Sequence, residues 1–285
     1  MPELPEVETV VRDLRPALAG RRVTDVEHGD KRLRHPWDPS WDGKIKGRNI
    51  GTVGRLAKWI AICFNPGGTL LVHLGMTGQL TVQASCSPLA DHVHLRFLMD
   101  GGLDLRFRDI RRFGGAEYLA EGRSWTERLL ESGLGPEPWD MPEDIWIQKI
   151  NKSLRPVKSI LLDQKTVSGI GNIYADEALY CAGIHPQTPG KSLKKAEAVG
   201  LLLSARTVLE EAIEGRGTTL RDYVGGSGLK GSHHFRLAVY GREGEPCPSC
   251  GENVQRILIS GRSSHYCPQC QPVATRKRGG NRVIP

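Results

Sequence analysis

The first residues of the chain have types and spacing that suit covalent catalysis. Met1 precedes a small residue, so we expect its removal during maturation, which would leave Pro2 as a free secondary amine. An α-amino group has a pKa of about 8, well below that of lysine, so more of it is neutral and nucleophilic at physiological pH. Such an amine can form a Schiff base, and Glu3 beside it can carry a proton. A helix start explains the residues from Pro5 onward, but not this proline beside an acid.

Four cysteines near the C-terminus form a second chemical pattern. Cys247 and Cys250 are separated by two residues, as are Cys267 and Cys270, and sixteen residues lie between the pairs. Four thiolates at this spacing predict a tetrahedral zinc site, and a closed set of four ligands makes the zinc structural. Two disulfides or unrelated thiols are the alternative.

The segment between the cysteine pairs predicts a β-hairpin, with strands over residues 256–259 and 264–266. Gly261-Arg262 would then form its tip. The three cysteines outside the pattern are expected to be small buried apolar residues. They are Cys63, Cys86 and Cys181.

Two further segments suit contact with nucleic acid. Gly169-x-Gly171-Asn172 precedes an apolar helical run, and backbone amides at such a turn can hold a phosphate. An ordinary helix-capping turn is the competing explanation, and on spacing alone it is favoured. Residues 108–114, Arg-Asp-Ile-Arg-Arg-Phe-Gly, combine charge with one aromatic ring. That ring is either a packing residue of a basic loop or a wedge that inserts between base steps.

Together these segments resemble formamidopyrimidine-DNA glycosylases, bacterial base-excision repair enzymes that remove oxidised purines. The resemblance runs collinearly from Pro2 to Gln271, and four segments carry it: residues 2–9 (PELPEVET), 108–114, 163–178 (DQKTVSGIGNIYADEA) and 261–271 (GRSSHYCPQCQ). Two departures stand out. Ile110 replaces the proline of the family's Asp-Pro-Arg-Arg-Phe-Gly loop, and residues 231–236 lack the common Tyr-Phe pattern.

The resemblance implies a bifunctional DNA glycosylase and abasic-site lyase, acting on 8-oxoguanine and formamidopyrimidines in duplex DNA. Pro2 would form the Schiff base and Glu3 would support proton transfer. In the β,δ-elimination that follows, Lys58 and Arg262 would act on the phosphate leaving groups. An endonuclease VIII-like enzyme for oxidised pyrimidines is the first alternative, and a noncatalytic DNA-binding paralogue is the second.

The resemblance also implies a set of DNA-contacting residues. Three of them, Met76, Arg111 and Phe113, would fill the space left by the extruded base. The full set is Met76, His92, Arg111, Phe113, Lys158 and Asn172.

The elements that must position these residues predict an α+β multidomain chain. Strand patterns before residue 120 indicate a β-sandwich, including one long strand over Thr52–Phe64 that would carry Lys58. Helical patterns then dominate to about Glu214, with one apolar face formed by Leu193, Ala196, Val199, Gly200 and Leu203. Glycine-rich residues 215–231 predict a long flexible loop.

Five segments follow from these patterns and from the resemblance. They are a catalytic β-sandwich domain with an N-terminal helix (1–132), a linker (133–150), a helix–two-turn–helix DNA-binding domain (151–235), a zinc-finger hairpin (236–272) and a basic tail (273–285).

Charge and composition favour a nucleic-acid partner. The 285 residues include 39 Lys and Arg against 32 Asp and Glu, which gives a net charge of +7 and a pI near 9.1. No run of apolar residues is long enough to cross a membrane, and no signal-peptide pattern opens the chain. We therefore expect a cytoplasmic, nucleoid-associated bacterial monomer that binds damaged double-stranded DNA and contains one structural zinc. No redox or nucleotide cofactor is expected.

Overall fold

The computed structural model describes residues 1–218 and 237–273. Its contacts divide the chain into two compact units. The first, here called the sandwich unit, comprises Met1–Met141, Leu161–Gly171 and Arg206–Leu237. The second, here called the hairpin unit, comprises Pro142–Ile160, Asn172–Ala205 and Ala238–Pro285. The division into five segments remains a prediction.

The sandwich unit contains two four-stranded antiparallel sheets, as the sequence predicts. One has the strand order β1-β6-β7-β5 and the other has the order β2-β3-β4-β8. The strands are β1 (Val23–His28), β2 (Asn49–Leu56), β3 (Trp59–Asn65), β4 (Thr69–His73), β5 (Gly78–Ala84), β6 (Val93–Met99), β7 (Leu103–Asp109) and β8 (Gly115–Leu119).

Helix α1 (Leu4–Leu18) places the N-terminus against this sandwich. It contacts β2 and β3 of one sheet and β5 of the other. Its apolar stripe is fully buried and joins the core between the sheets, because the stripe repeats at helical spacing. A capping box closes its first turn, in which the Glu6 carboxylate accepts a hydrogen bond from the Glu3 backbone at 2.8 Å. The chain terminus is therefore fixed rather than frayed.

The stretch predicted as one long strand, Thr52–Phe64, is a hairpin. Strands β2 and β3 pair with each other, and Ala57 and Lys58 form the two-residue turn between them. Ala57 has φ 52, a conformation that glycine or asparagine usually supplies, so the turn carries no residue signal in the sequence. Lys58 accordingly lies at a tight turn and not within a strand.

The remaining helices are short except for the last. They are α2 (Asp42–Ile45), α3 (Trp125–Glu131), α4 (Glu143–Asn151), α5 (Val157–Leu161), α6 (Asn172–Cys181) and α7 (Lys195–Glu214). Trp146 of α4 is fully buried and donates its indole N–H to Ala198 O at 2.7 Å, which anchors α4 to α7. None of the helices in the described ranges is long and apolar enough to span a membrane.

The hairpin unit ends in a two-stranded sheet, β9 (Gln255–Ile259) and β10 (Arg262–Tyr266). Its turn is Ser260-Gly261, both with positive φ, so the predicted tip is displaced by one residue. Arg262 opens β10 and pairs with Ile259. A one-residue displacement matters here because it decides which way the arginine points relative to the strand.

Two smaller predictions are wrong. The apolar face of α7 was assigned to the wrong residues, since Ala196 and Leu203 are exposed while Ala198, Leu201, Leu202, Ala205, Leu209 and Ala212 are buried. Cys86 and Cys181 are exposed, and Cys63 is half-buried. The predicted loop beyond Thr218, the atypical residues 231–236 and the basic tail beyond Val273 lie outside the described residues.

Candidate active site and DNA-binding surface

Glu3 is anchored in the sandwich unit by a glycine turn. Its side chain is 2% exposed, and its carboxylate accepts a hydrogen bond from Gly171 N at 2.7 Å. Any side chain at position 171 would collide with that carboxylate. Leu4 N donates to Gly169 O at 3.0 Å, so the same turn also holds the backbone that follows Glu3. Residues 169–171 therefore form a cradle for the chain terminus.

This cradle changes the interpretation of the glycine motif. Backbone amides at Gly169 and Gly171 were candidates for binding a phosphate, with a helix-capping turn as the alternative. In the structure, Gly171 N is taken by Glu3, and Gly169 N donates to the Gln164 side chain at 3.0 Å. Both amides bind side chains of the protein, and helix α6 does begin at Asn172.

Lys58 lies beside the same cradle. Its side chain is 6% exposed, and its Nζ donates to Ile170 O at 2.9 Å. Lys58 and Glu3 thus bind consecutive residues of one turn, although 55 positions separate them in the sequence. A pocket of about 280 Å³ opens here, and its lining includes Met1, Lys58 and Lys165. In the described part of the chain, the charged side chains that line it are Lys58 and Lys165, so the pocket favours an anionic group.

A buried carboxylate that sequence reasoning missed holds the Lys58 turn. Glu137 accepts a hydrogen bond from Ala57 N at 2.6 Å and forms an ion pair with Arg55. Arg55 also pairs with Glu8 of α1 at 2.8 Å. Burial alone would raise the pKa of Glu8, but hydrogen bonds from Arg55 and Arg12 lower it below its ordinary value. The only sequence signal for Glu137 is an acid enclosed by two prolines.

His73 is another side chain of this pocket that the sequence did not single out. Burial lowers the pKa of His73 to about 4, and the nearby charges of Lys58 and Arg34 add to that effect. Its Nδ1 accepts a hydrogen bond from Gly75 N at 3.1 Å. The ring is therefore neutral at physiological pH, with its proton assigned to Nε2 by this bond. It therefore adds no charge to the lining of the pocket.

Three apolar side chains stand out from the sandwich unit around one loop. Met76, Ile110 and Phe113 are 40%, 42% and 39% exposed. The Arg111 guanidinium lies 4.6 Å from the centre of the Phe113 ring, which is a cation–π contact. An exposed Phe next to two exposed aliphatic residues does not fit a core role. It suits the wedge interpretation.

The buried carboxylate of Asp109 links the turn that follows Met76 to the loop that carries Arg111 and Phe113. Its carboxylate accepts hydrogen bonds from Thr77 Oγ1 at 2.5 Å, from Arg111 N at 3.2 Å and from Gly114 N at 2.8 Å. The turn after Met76 and the loop before Gly114 therefore share one anchor. Because these contacts fix the loop backbone, the isoleucine at position 110 does not leave the loop without support.

Four arginines surround the exposed ring. Arg32, Arg34, Arg111 and Arg112 line a pocket of about 460 Å³ together with Leu33 and Phe113. Arg34 N donates to Arg112 O at 3.0 Å, which ties the two segments together. Within residues 1–218 and 237–273, none of the four guanidinium groups forms an ion pair. Four uncompensated charges in one pocket favour a polyanionic ligand.

His92, the remaining predicted DNA contact of this unit, is exposed and has φ 68. It lines a separate pocket of about 250 Å³ with His28 and His94. Its backbone oxygen accepts a hydrogen bond from Asp109 N at 3.0 Å, so the same aspartate that anchors the loop also fixes His92.

The hairpin unit brings together Lys158, Asn172 and Arg262. Lys158 Nζ and Asn172 Nδ2 both donate to Ser263 O, at 2.7 and 3.0 Å, and Ser263 directly follows the exposed Arg262. Lys158 itself is 0% exposed. A direct contact between Lys158 and DNA is therefore disfavoured, because the ammonium group lies inside the unit and binds protein oxygens.

The four cysteines fit a zinc ion. Their sulfur atoms all lie within 4.8 Å of one another. Cys247 Sγ is 3.8 Å from Cys270 Sγ, and Cys250 Sγ is 3.4 Å from Cys267 Sγ. A tetrahedron with Zn–S bonds of about 2.3 Å has S–S edges of about 3.8 Å, whereas a disulfide measures about 2.05 Å. The thiolate set matches the metal, and disulfides are excluded for these pairs.

Two buried carboxylates fix the chain on either side of residues 219–236. In the sandwich unit, Glu6 accepts a hydrogen bond from Thr218 N at 2.7 Å. In the hairpin unit, Glu177 accepts from the backbone N–H groups of Ala238, Val239 and Tyr240 at 2.7–3.0 Å. Glu6 also caps α1, so one carboxylate binds both the Glu3 backbone at the start of α1 and the Thr218 backbone.

Comparison with known proteins agrees with this arrangement. Three family models match: the formamidopyrimidine-DNA glycosylase N-terminal domain over residues 1–116, its H2TH domain over 134–223, and a zinc finger found in FPG and IleRS over 244–273. A formamidopyrimidine-DNA glycosylase of Stutzerimonas stutzeri is 43% identical over 275 residues, covering 95% of this chain and all of that protein (100%). The chain belongs to the formamidopyrimidine-DNA glycosylase family.

Other members of the family agree along the whole chain. The glycosylase of Moorella thermoacetica is 43% identical over 265 residues, which cover 90% of this chain and 94% of that protein. A Lactococcus lactis FPG mutant bound to DNA containing Fapy-dG superposes with a TM-score of 0.90 at 32% identity, covering 95% and 100% of the two chains. Lactococcus lactis Fpg bound to abasic-site DNA gives 0.88 at 31%, with the same coverage. The predicted α+β architecture and the zinc finger are thereby confirmed.

Proposed function

We propose that this chain excises oxidised purines from duplex DNA and then cuts the strand at the resulting abasic site. The observation that carries the proposal is the cradle at residues 169–171, which binds both Glu3 and Lys58 and so assembles an acid and an amine beside Pro2. Relatives that carry the glycosylase name, and a relative solved with Fapy-dG DNA, support the same reaction.

The proposed reaction begins at Pro2 once Met1 has been removed. The neutral nitrogen attacks C1′ of the sugar, and the bond from C1′ to the base breaks with its electron pair leaving on the base. The departing base takes up the proton that the Pro2 nitrogen loses. Glu3 then gives a proton to O4′ as the sugar ring opens, which yields an iminium ion on Pro2. The damaged nucleotide must leave the base stack for this attack to occur.

The iminium makes the neighbouring C2′ hydrogen acidic, so β-elimination expels the 3′ phosphate and δ-elimination then expels the 5′ phosphate. We assign Lys58 and Arg262 to the stabilisation of these leaving groups. Lys58 suits the role because it binds the same turn as Glu3 and, with Lys165, lines the pocket that opens there. The zinc is structural, since all four of its ligand positions are thiolates.

We assign the wedge to Met76, Arg111 and Phe113, which stand exposed around the loop anchored by Asp109. His92 and the four-arginine pocket would contact the phosphate backbone. Asn172 contributes by binding Ser263 next to Arg262. We also propose that the protein acts as a monomer on chromosomal DNA and is located at the bacterial nucleoid.

Borohydride trapping tests the chemistry. Incubation of the mature protein with a duplex containing 8-oxoguanine, in the presence of borohydride, should give a covalent DNA adduct whose peptide maps to Pro2. A panel that adds formamidopyrimidine, an oxidised pyrimidine and an abasic site ranks the substrates. An adduct on Lys58 would reassign the nucleophile, and the absence of any adduct would favour the noncatalytic alternative. Excision of the oxidised pyrimidine ahead of both purines would favour the endonuclease VIII-like alternative.

A further inference from the structure

A buried polar cluster in the hairpin unit has no part in the chemistry described so far. Lys158 and Asp176 are both 0% exposed, and Lys158 Nζ lies 2.7 Å from Asp176 Oδ1. The other carboxylate oxygen of Asp176 accepts a hydrogen bond from His265 N at 2.9 Å and lies 3.3 Å from the His265 ring Nδ1. Lys158 Nζ also donates to Ser264 Oγ at 2.8 Å.

The cluster holds one short stretch of backbone. Lys158 also donates to Ser263 O, so the pair binds three consecutive residues of β10, 263–265. Lys158 lies on α5 and Asp176 lies on α6, so two helices fix this strand. A two-stranded hairpin is only marginally stable alone, and its position depends on such contacts.

Arg262, the residue before this stretch, depends on it for its position. Its side chain is exposed, and within the described residues its guanidinium makes no ion pair or hydrogen bond. The location of the guanidinium is therefore set by the backbone of β10. A displacement of β10 would therefore also displace the guanidinium of Arg262.

Stability alone does not account for the buried pair. Removing two charges from water is costly, and a well-packed apolar pair is often as stable. What a paired lysine and aspartate supply is a defined geometry, because the ammonium group must meet three oxygens at fixed positions. Those oxygens are Asp176 Oδ1, Ser263 O and Ser264 Oγ.

We propose that Lys158 and Asp176 are positioning residues that place Arg262 for the elimination step. This rests on the proposed function, in which Arg262 acts on a phosphate leaving group. It replaces the DNA contact expected for Lys158, and it gives Asp176 a role that the sequence did not indicate.

The test is a double-mutant cycle on the intact, zinc-loaded protein. The variants are Asp176→Asn, Lys158→Met and Arg262→Gln, alone and combined. We expect Asp176→Asn to slow cleavage of a preformed abasic site by roughly tenfold to a hundredfold, the effect of a misplaced catalytic group. In the Arg262→Gln background it should cause little further loss, because both changes remove the same contribution. Borohydride trapping at Pro2 should stay at the level of the parent.

Controls separate positioning from folding. Zinc content and melting temperature are measured for every variant, and Glu243→Gln removes an exposed ion pair to Arg256 on the neighbouring strand as a matched control. Glu243→Gln should cleave normally. Ser264→Ala deletes one acceptor of Lys158 and a longer hydrogen bond from Ser264 Oγ to Arg262 O at 3.5 Å, and it keeps both charges of the pair. It therefore covers the case in which Asp176→Asn loses zinc or fails to fold. It should show a smaller loss that again disappears in the Arg262→Gln background.

Three outcomes would overturn the proposal. Equal losses with and without Arg262 would mean that the cluster acts on stability alone, and unchanged cleavage in Asp176→Asn and Ser264→Ala would mean that it does not place Arg262. A Lys158→Met variant with weaker duplex binding and a shallower salt dependence, beside an unaffected Asp176→Asn, would restore the direct DNA contact. Failure of the parent to trap or cleave DNA would instead refute the proposed function.

Discussion

At the scale of single residues, exposure separates Phe113, which we propose as part of the wedge, from the core. Phe113 is 39% exposed and stacks with Arg111, so its loss removes little buried apolar surface. Phe107 on β7, six residues earlier in the sequence, has the same ring but is fully buried in the core between the sheets. A residue that serves the fold and one that serves a ligand are thus distinguished by their surroundings and not by their type.

Phe113→Ala should therefore impair DNA processing without destabilising the fold. We expect slower excision of a lesion from duplex DNA, because the space of the extruded base stays unfilled, and a smaller effect on a preformed abasic site. The free energy of unfolding should change by less than about 1 kcal/mol, since the side chain is exposed. Single-turnover kinetics and urea denaturation measure the two effects. Leu130→Ala, at a 52% exposed site on α3, serves as the control.

At the scale of elements, the hairpin of β2 and β3 presents Lys58 through a turn that Glu137 holds. The carboxylate binds Ala57 N and Arg55 together, so it fixes the backbone immediately before Lys58. Positive φ at Ala57 is a strained conformation for alanine, and contacts of this kind maintain it. The turn is thus determined by a segment about 80 residues further along the chain.

Glu137→Gln should slow strand cleavage more than base excision. The substitution leaves an amide oxygen for Ala57 N but removes the charge that pairs with Arg55, at a cost of about 2 kcal/mol in stability. Lys58 would then be less well placed for elimination. Comparing excision with cleavage of a preformed abasic site in single-turnover assays tests this. Glu117→Gln, which breaks the half-exposed ion pair with Arg128, should leave both rates unchanged.

Asp104, on β7, is a buried carboxylate whose ion pairs affect stability in acid. Burial alone would raise the pKa of Asp104, but hydrogen bonds from Ser85, Arg96 and Arg106 outweigh it and lower that pKa below its ordinary value. A lowered folded pKa means that the stabilisation is present above pH of about 4 and is lost as pH falls through the folded pKa.

Asp104→Asn should accordingly cost roughly 3 kcal/mol at neutral pH, because Arg106 loses a buried partner. The difference from the parent should shrink as pH falls below about 4. Thermal melts between neutral and acidic pH measure both effects. Asp100→Asn, at an exposed position 3.9 Å from Arg21, should follow the parent at every pH. A constant difference across the whole range would show that the charge of Asp104 is not responsible.

At the scale of the whole molecule, the net charge of +7 becomes informative only through its distribution. Many cations are matched by nearby acids, as Lys46 is by Asp25 at 2.9 Å. Among the residues that the structure describes, the four arginines around Phe113 form no ion pair with an acid. Binding to a polyanion should therefore depend on these unpaired groups and not on the total count of basic residues.

DNA affinity should fall steeply with salt, and Arg34→Gln should make that dependence shallower. Each phosphate contact contributes a slope of about −0.9 in a plot of log affinity against log salt concentration, so losing one contact should reduce the slope by about one. Fluorescence anisotropy with an abasic-site analogue across a salt series gives the slope. Lys46→Gln, a paired cation, should keep the parent slope. A flat dependence in the parent protein would contradict backbone binding at this surface.

The sequence by itself indicated the family, the zinc site and much of the architecture, and it predicted the residues of the reaction. Pro2, Glu3 and the four cysteines are recognisable because their chemistry depends on local order: a free amine beside an acid, and thiols at fixed spacing. Alternation and helical spacing likewise indicated both sheets and α1, because these patterns reflect which face of an element is buried. The placement of Lys58 at a turn, the exposed tip one residue from its predicted place and the buried face of α7 were not predictable in this way.

Only the tertiary structure decided the partners. Glu3 meets Gly171 across 168 positions, Ala57 meets Glu137 across 80, and Lys158 meets Ser263 across 105. In each case a buried polar group needs a hydrogen-bonding partner, and the partner comes from wherever the fold brings a suitable atom. Lys158 shows the consequence most clearly. The family resemblance implied a contact between Lys158 and DNA, whereas burial against Asp176 directs its charge to the inside of the protein.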